Sequence, residues 1–312
     1  MRKLLAASAM SLVMAVAANS AALAADGEAC KKVRISEVGG WTDNTAINGL
    51  FTNVLKGLGY EADVSLLALP ITLEGMKNKD VDVFLDNWMP SQVADVTPFL
   101  DDKSVESIGA NLEGAGYGPV VPQYAADAGV KDVKDLGKFT EKFEGKFYGI
   151  EPGNDGNRIV QGKIDDPANG MDGWEMVESS EQGMLVQAQK AIEKGEFVAF
   201  LAWTPHPVMG KMPLHYLSGF EADGFGGATI YTLTRAGYSA ECPNVGALLK
   251  NLKFTLDMEG TIMESILGGK DGETAAKEWL VANPGVLDAW LAGVTTIDGQ
   301  DGLAAVKTSL GL

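Results

Sequence analysis

The stretch Val33-Arg34-Ile35-Ser36-Glu37-Val38-Gly39-Gly40-Trp41-Thr42-Asp43-Asn44, with Ile47, Leu50, Phe51, Val54, Leu55 and Leu58 behind it, decides the fold. Val33 to Val38 reads as a short strand, and the apolar positions from Ile47 onward recur every three or four residues, the period of a helix with one inward face. Asp43 or Asn44 is placed to cap that helix, and Gly59 to end it. Downstream, Ala62 to Leu67 predicts a second strand, Ile71 to Lys79 a second helix and Val81 to Leu85 a third strand. Strand, helix, strand, helix, strand is the order of a parallel sheet flanked by helices.

The pattern begins again near Tyr117. Gly118 to Gln123 is strand-like, Val133 to Phe143 helical, Phe147 to Ile150 a strand, Asn157 to Ile164 helical, Gly183 to Lys194 helical and Phe197 to Leu201 a buried strand. After Gly219 the chain predicts one strand, Ala228 to Thr234, then helices over Asn244 to Glu259, Ile262 to Leu267, Glu273 to Val281 and Leu287 to Leu291. No short-period repeat or low-complexity segment interrupts this, and the charges of Lys131 to Lys146 read as solvated helix faces. The expectation is an α/β chain of two lobes, each a mostly parallel sheet: residues 25–112 with 220–312 as lobe I, and 113–219 as lobe II.

Ahead of this, Met1-Arg2-Lys3, the apolar run Leu4 to Ala18 and Ala22-Leu23-Ala24 have the three-part form of a secretory signal peptide, residues 1–24. The run is shorter than the roughly 20 residues of a spanning helix, and the residues before Cys30 are too polar for lipoprotein processing. Removal of that segment leaves 23 basic against 42 acidic residues, a formal charge of −19. Nucleic acid and anionic lipid are therefore poor partners, and the charge serves solubility first. Cys30 and Cys242, the only cysteines, fit one structural disulfide in an exported chain better than a redox or metal site.

Three tryptophans share a topological position. Trp41 follows the first strand, Trp88 the third, and Trp203 ends the strand that begins at Phe197; Asn154 follows the strand Phe147 to Ile150 in the loop Pro152-Gly153-Asn154-Asp155-Gly156. Carboxyl ends of parallel strands are where open α/β sheets bind ligands. Trp174, Trp279 and Trp290 lack this placement, and packing is the expectation for them.

Gly40-Trp41-Thr42-Asp43, Gly59-Tyr60, Asp80-Val81-Asp82-Val83, Asn87-Trp88-Met89-Pro90 and Trp203-Thr204-Pro205-His206 resemble the periplasmic glycine betaine and choline binding proteins of ABC importers, over nearly the whole mature chain. The resemblance is to the choline-binding branch in particular, and it implies a two-lobed, type II-like periplasmic binding fold with an aromatic box of Trp41, Trp88, Tyr117 and Trp203. It also implies ligand contacts from Asp43 and Asn154, an inner-membrane ABC permease as partner, a monomer in the periplasm, and no cofactor. The chemistry agrees. A trimethylammonium group has no N–H to donate, whereas aromatic faces attract it by about 0.5–1 kcal/mol when exposed and ~2 or more when desolvated. Choline carries a hydroxyl that can donate to Asp43; betaine carries a carboxylate that an ionised Asp43 repels. The spacing supports a plain helix cap at Asp43 nearly as well, and one residue can do both. Glycine betaine or proline betaine is the alternative ligand.

An exported hydrolase is the rival from another class. It would need a catalytic set, and the chain has only His206 and His215, no Gly-x-Ser-x-Gly, no Walker loop and no His-Glu-x-x-His. Gly114-Ala115-Gly116-Tyr117-Gly118 has the wrong spacing for a dinucleotide loop and reads as a turn or lobe crossing. Asp166, Asn169 and Asp172 lack EF-hand spacing and read as turn residues.

Overall fold

The computed structural model describes residues 26–312; the expected signal segment, 1–24, lies outside the described residues. Nine strands form one curled sheet: β1 (Lys32–Val38), β2 (Glu61–Leu67), β3 (Val83–Met89), β4 (Val105–Pro122), β5 (Lys146–Tyr148), β6 (Glu175–Val177), β7 (Phe200–Thr204), β8 (Leu214–Tyr216) and β9 (Gly226–Arg235). The order is β2-β1-β3-β9-β4-β7-β5-β6, with β8 paired to β4. Parallel pairing holds at both ends, β1 with β2 and β3, and β5 with β6 and β7. Between these ends run β4 and β9, antiparallel to each other and to their outer neighbours. The expected α/β architecture is present, with this antiparallel pair joining its two parallel parts.

Helix α1 (Thr42–Gly57) is buried on nearly every side because the helices Leu256–Leu267, Gly272–Ala282 and Gly302–Leu310 pack on its outer face. The approach needs small residues: a β-carbon on Gly49 would collide with the carbonyl of Gly272. A disulfide joins Cys30 to Cys242, with 5.7 Å between α-carbons. Beside it Asp26 accepts hydrogen bonds from the Asn244 and Val245 amides and the Tyr60 hydroxyl, so the start of the described chain is fastened to the segment after β9.

Several elements depart from the sequence reading. The helix expected over Val133 to Phe143 stops at Leu136, and Gly137 turns into a 3₁₀ segment pressed on the Gly170 carbonyl. The helix expected over Asn244 to Glu259 is two, Pro243–Asn251 and Leu256–Leu267, because the Thr255 hydroxyl accepts the Met258 amide and starts a new helix. Trp88 lies inside β3 and Trp203 inside β7, one residue before each strand ends. The Gly114 to Gly118 run lies within β4. The helices Val93–Asp101 and Gly302–Leu310 and the strands β6 and β8 were not foreseen.

Candidate functional site

Trp41 occupies the N-cap position of α1 with extended backbone (φ −81°, ψ 109°) and no side-chain cap. The turn before it is held by Asn44, whose Oδ1 accepts the Val38 amide at 2.7 Å, and by Gly40 at φ +101°, a conformation that favours glycine. Asp43 and Asn44 lie in the first turn of α1, past the N-cap position that Trp41 holds, so neither is the N-cap residue expected from the sequence. From the far end of the sheet, Asn154 caps the helix Asp155–Asp165, its Oδ1 accepting the Gly156 and Asn157 amides. Tyr117 on β4 lies directly across the ladder from Trp203 on β7.

These elements meet at one cavity, lined by Trp41, Asp43, Trp88, Gln92, Tyr117, Ile150, Asn154, Asp155 and Trp203. All six residues singled out from the sequence are on its walls. The Tyr117 ring sits 5.8 Å from the Trp88 ring and 6.2 Å from the Trp203 ring, edge to face in both cases. Hydrogen bonds orient the walls: Trp41 Nε1 donates to Glu151 Oε1 at 2.9 Å, and Trp88 Nε1 to Asp86 Oδ1 at 2.9 Å. Trp174, Trp279 and Trp290 are not on the cavity; Trp290 is fully buried core.

The electrostatics are one-sided. No lysine or arginine lines the cavity, while Asp43 and Asp155 do, and Asp43 Oδ1, Asp155 Oδ2 and Glu151 Oε2 are buried without a hydrogen-bond partner. Burial, with the charge of Glu181 second, pushes the Asp43 carboxyl up to about 7. Burial alone is the main reason that Glu151 rises to about 7 and Asp155 to about 6. Asp86 and Glu259 are held well above the usual carboxylate range by burial and by the neighbouring Asp43. Carboxylates in such a setting resist ionisation until a cation compensates them. Gln92 Nε2 and Trp203 Nε1 are buried donors without partners, so a ligand group able both to donate and to accept suits the polar side.

Sequence reasoning missed Gln92, Ile150 and Asp155 on the wall, and Glu151, Glu181 and Asp86 behind it. Asp155 adjoins Asn154 and could have been found by that adjacency; the others are a lone glutamine, single carboxylates and an apolar residue whose burial arises from long-range packing. Asp166 caps the turn Pro167–Asn169, as expected of a turn residue. Among the described residues no group of three or more His, Cys, Asp or Glu side chains is arranged to hold a metal ion.

A family model described as the substrate-binding domain of ABC-type glycine betaine transport systems matches residues 31–282. A solved structure of an ABC-transporter choline-binding protein in complex with choline is 49% identical, covers 92% of this chain and 100% of its own, and superposes with a TM-score of 0.89. An ABC-transporter choline-binding protein in an unliganded semi-closed conformation is 50% identical, over 91% of this chain and 100% of its own, with a TM-score of 0.83. The glycine betaine/carnitine transport binding protein GbuC of Listeria monocytogenes serotype 1/2a (strain 10403S) is 30% identical over 169 residues, 54% of this chain and 55% of its own.

Proposed function

The chain belongs to the substrate-binding family of ABC-type glycine betaine transport systems, and on that premise we propose that it captures choline and delivers it to a membrane permease. The family is a transport component and not an enzyme, and its members work outside the cytoplasmic membrane. The observation that carries choline is Asp43: a carboxylate 2% exposed, one oxygen without a partner, on a cavity that also presents Trp41, Trp88, Tyr117 and Trp203 and has no cationic side chain. The trimethylammonium group takes the faces of Trp41, Trp88, Tyr117 and Trp203, while its hydroxyl donates to Asp43. Betaine would set its own carboxylate beside Asp43 and Asp155. Asn154 acts chiefly through Tyr117 and the helix that it caps.

The two-lobe division proposed is 25–112 with 220–312 against 113–219. It is supported by β4, which pairs with β9 over Val105 to Tyr117 and with β7 from Gly116 onward. Closure of the lobes over the ligand would bring the box together. Export through residues 1–24 into the periplasm and action as a monomer complete the reading. Calorimetry with choline, glycine betaine and carnitine tests it: choline should bind with a dissociation constant on the order of micromolar and ahead of the other two. Tighter betaine binding would transfer the assignment to betaine. Scattering should show a smaller radius of gyration with choline, unless the ligand-free protein is already closed.

A further inference from the structure

We propose that Glu181 is a positioning residue for the cation site: its carboxylate, carried by the second lobe, seats on the first turn of α1 and fixes the segment Trp41-Thr42-Asp43, so that this contact sets how long the ligand is held. The proposal rests on the two-lobe reading above.

Glu181 does not line the cavity, yet its side chain is fully buried. Its Oε2 accepts the Thr42 amide at 2.9 Å and its Oε1 accepts the Thr42 hydroxyl. Thr42 stands between two wall residues, Trp41 and Asp43, so any shift of Thr42 moves both. Glu181 is itself the first residue of the helix Glu181–Glu193, behind the cap Ser180. A carboxylate at that position ordinarily faces water; here it serves the N-termini of two helices from the two lobes, each favouring negative charge.

The second lobe holds the carboxylate ready. His206 Nδ1 accepts the Val208 amide at 3.1 Å, so in the neutral imidazole the proton is on Nε2, which lies 3.2 Å from Glu181 Oε1 and donates to it. The His206 ring is 5.1 Å from that of Trp203. One buried chain, Thr42 to Glu181 to His206 to Trp203, thus connects box walls contributed by both lobes.

Other contacts cross between the lobes with less at stake. Lys211 to Glu264 is a pair with side chains 60% and 64% exposed, and such pairs contribute little. Arg158 to Asp95 is half in solvent. Glu151 on the Trp41 indole is the nearest equivalent, and it holds a single bond. Glu181 alone is fully buried and accepts two donors from α1, and hydrogen bonds to an ionised group are the stronger kind.

The test uses the full chain with its disulfide intact. Stopped-flow tryptophan fluorescence with choline should show Glu181→Ala releasing ligand about tenfold to a hundredfold faster, with association changed less than about threefold, as expected for a lost charge-assisted contact made after encounter. Glu181→Gln keeps an acceptor for the Thr42 amide and should recover part of the loss. Spin labels on Glu74→Cys and Lys190→Cys, both exposed and one on each lobe, report lobe separation without ligand. Glu181→Ala should move that distribution to longer distances. Unchanged release with an unchanged distribution overturns the proposal. Should the wild type fail to bind choline, the ligand assignment falls and the label distances alone decide the role of Glu181.

Discussion

Tyr117 donates its hydroxyl to Asn154 Oδ1 at 3.1 Å, the oxygen that also accepts the Gly156 amide at 2.7 Å. The orientation of a box ring is thereby tied to the start of a helix. Tyr117→Phe keeps the aromatic face and leaves Asn154 its two amide donors, so choline affinity should fall by no more than about 1.5 kcal/mol. Tyr117→Ala removes the face and should cost about 1–3 kcal/mol. Equal losses in calorimetry would mean that the hydroxyl, not the ring, carries the role of Tyr117.

Replacing Trp41, Trp88 or Trp203 with Ala should each weaken choline binding by roughly 1–3 kcal/mol, since each removes a wall that both attracts the cation and excludes water. Trp279→Ala, in the helix Gly272–Ala282 and off the cavity, should leave affinity unchanged. A comparable loss there at an unaltered melting temperature would place the site elsewhere.

Asp43→Asn should cost roughly 1–3 kcal/mol in choline affinity and shift the choline-to-betaine ratio toward betaine, because a repelling charge is replaced by an N–H donor. Asp43 is not the N-cap residue of α1, and asparagine caps a helix about as well as aspartate, so loss of a cap cannot produce the effect. A constant ratio in paired titrations removes Asp43 as the hydroxyl acceptor.

Choline binding should weaken as the pH falls. Asp43 and Glu151 lie at about 7 and Asp155 at about 6, so below these values protons occupy the oxygens that compensate the cation. Affinity should drop by about tenfold per pH unit for each proton that choline displaces. Without ligand the sign reverses: a carboxyl raised on folding binds its proton more tightly in the native state, so stability should rise as pH falls through 7 toward 5. Melting temperatures across pH 5 to 8, with and without choline, read both slopes, and Asp43→Asn should flatten them.

The first half of the sheet was legible because α1 and the strands around it bury regular apolar patterns. β4 was readable only from Gly118, where its residues are buried; over Val105 to Leu112 exposed and half-buried positions mix, and register shifts near Gly109 break the alternation. The break at Thr255 was written locally, as a threonine ahead of Asp257 and Glu259, but the apolar period on both sides concealed it. The three tryptophan walls were visible because they stand at or next to strand ends, whereas Tyr117, inside β4, was reached only through the family resemblance. Glu181 was not visible: Glu178-Ser179-Ser180-Glu181 reads as a solvated helix start, and it is α1 and His206, both distant in sequence, that pack against it.

β4 and β9 pair across the middle of the molecule, and their ladder slips at Ser107/Gly109, Ala110/Leu112 and Glu113/Ala115. Bulges concentrate bend and twist in a ribbon that stays hydrogen-bonded on either side. In mechanical terms such a ribbon is built as a flexure rather than a joint: it can bend and twist at the slips while its ladder opposes sliding. On the two-lobe reading proposed above, a bend in this ribbon would convert occupancy of the cavity into one angle, a coordinate that a membrane partner could read without touching the ligand.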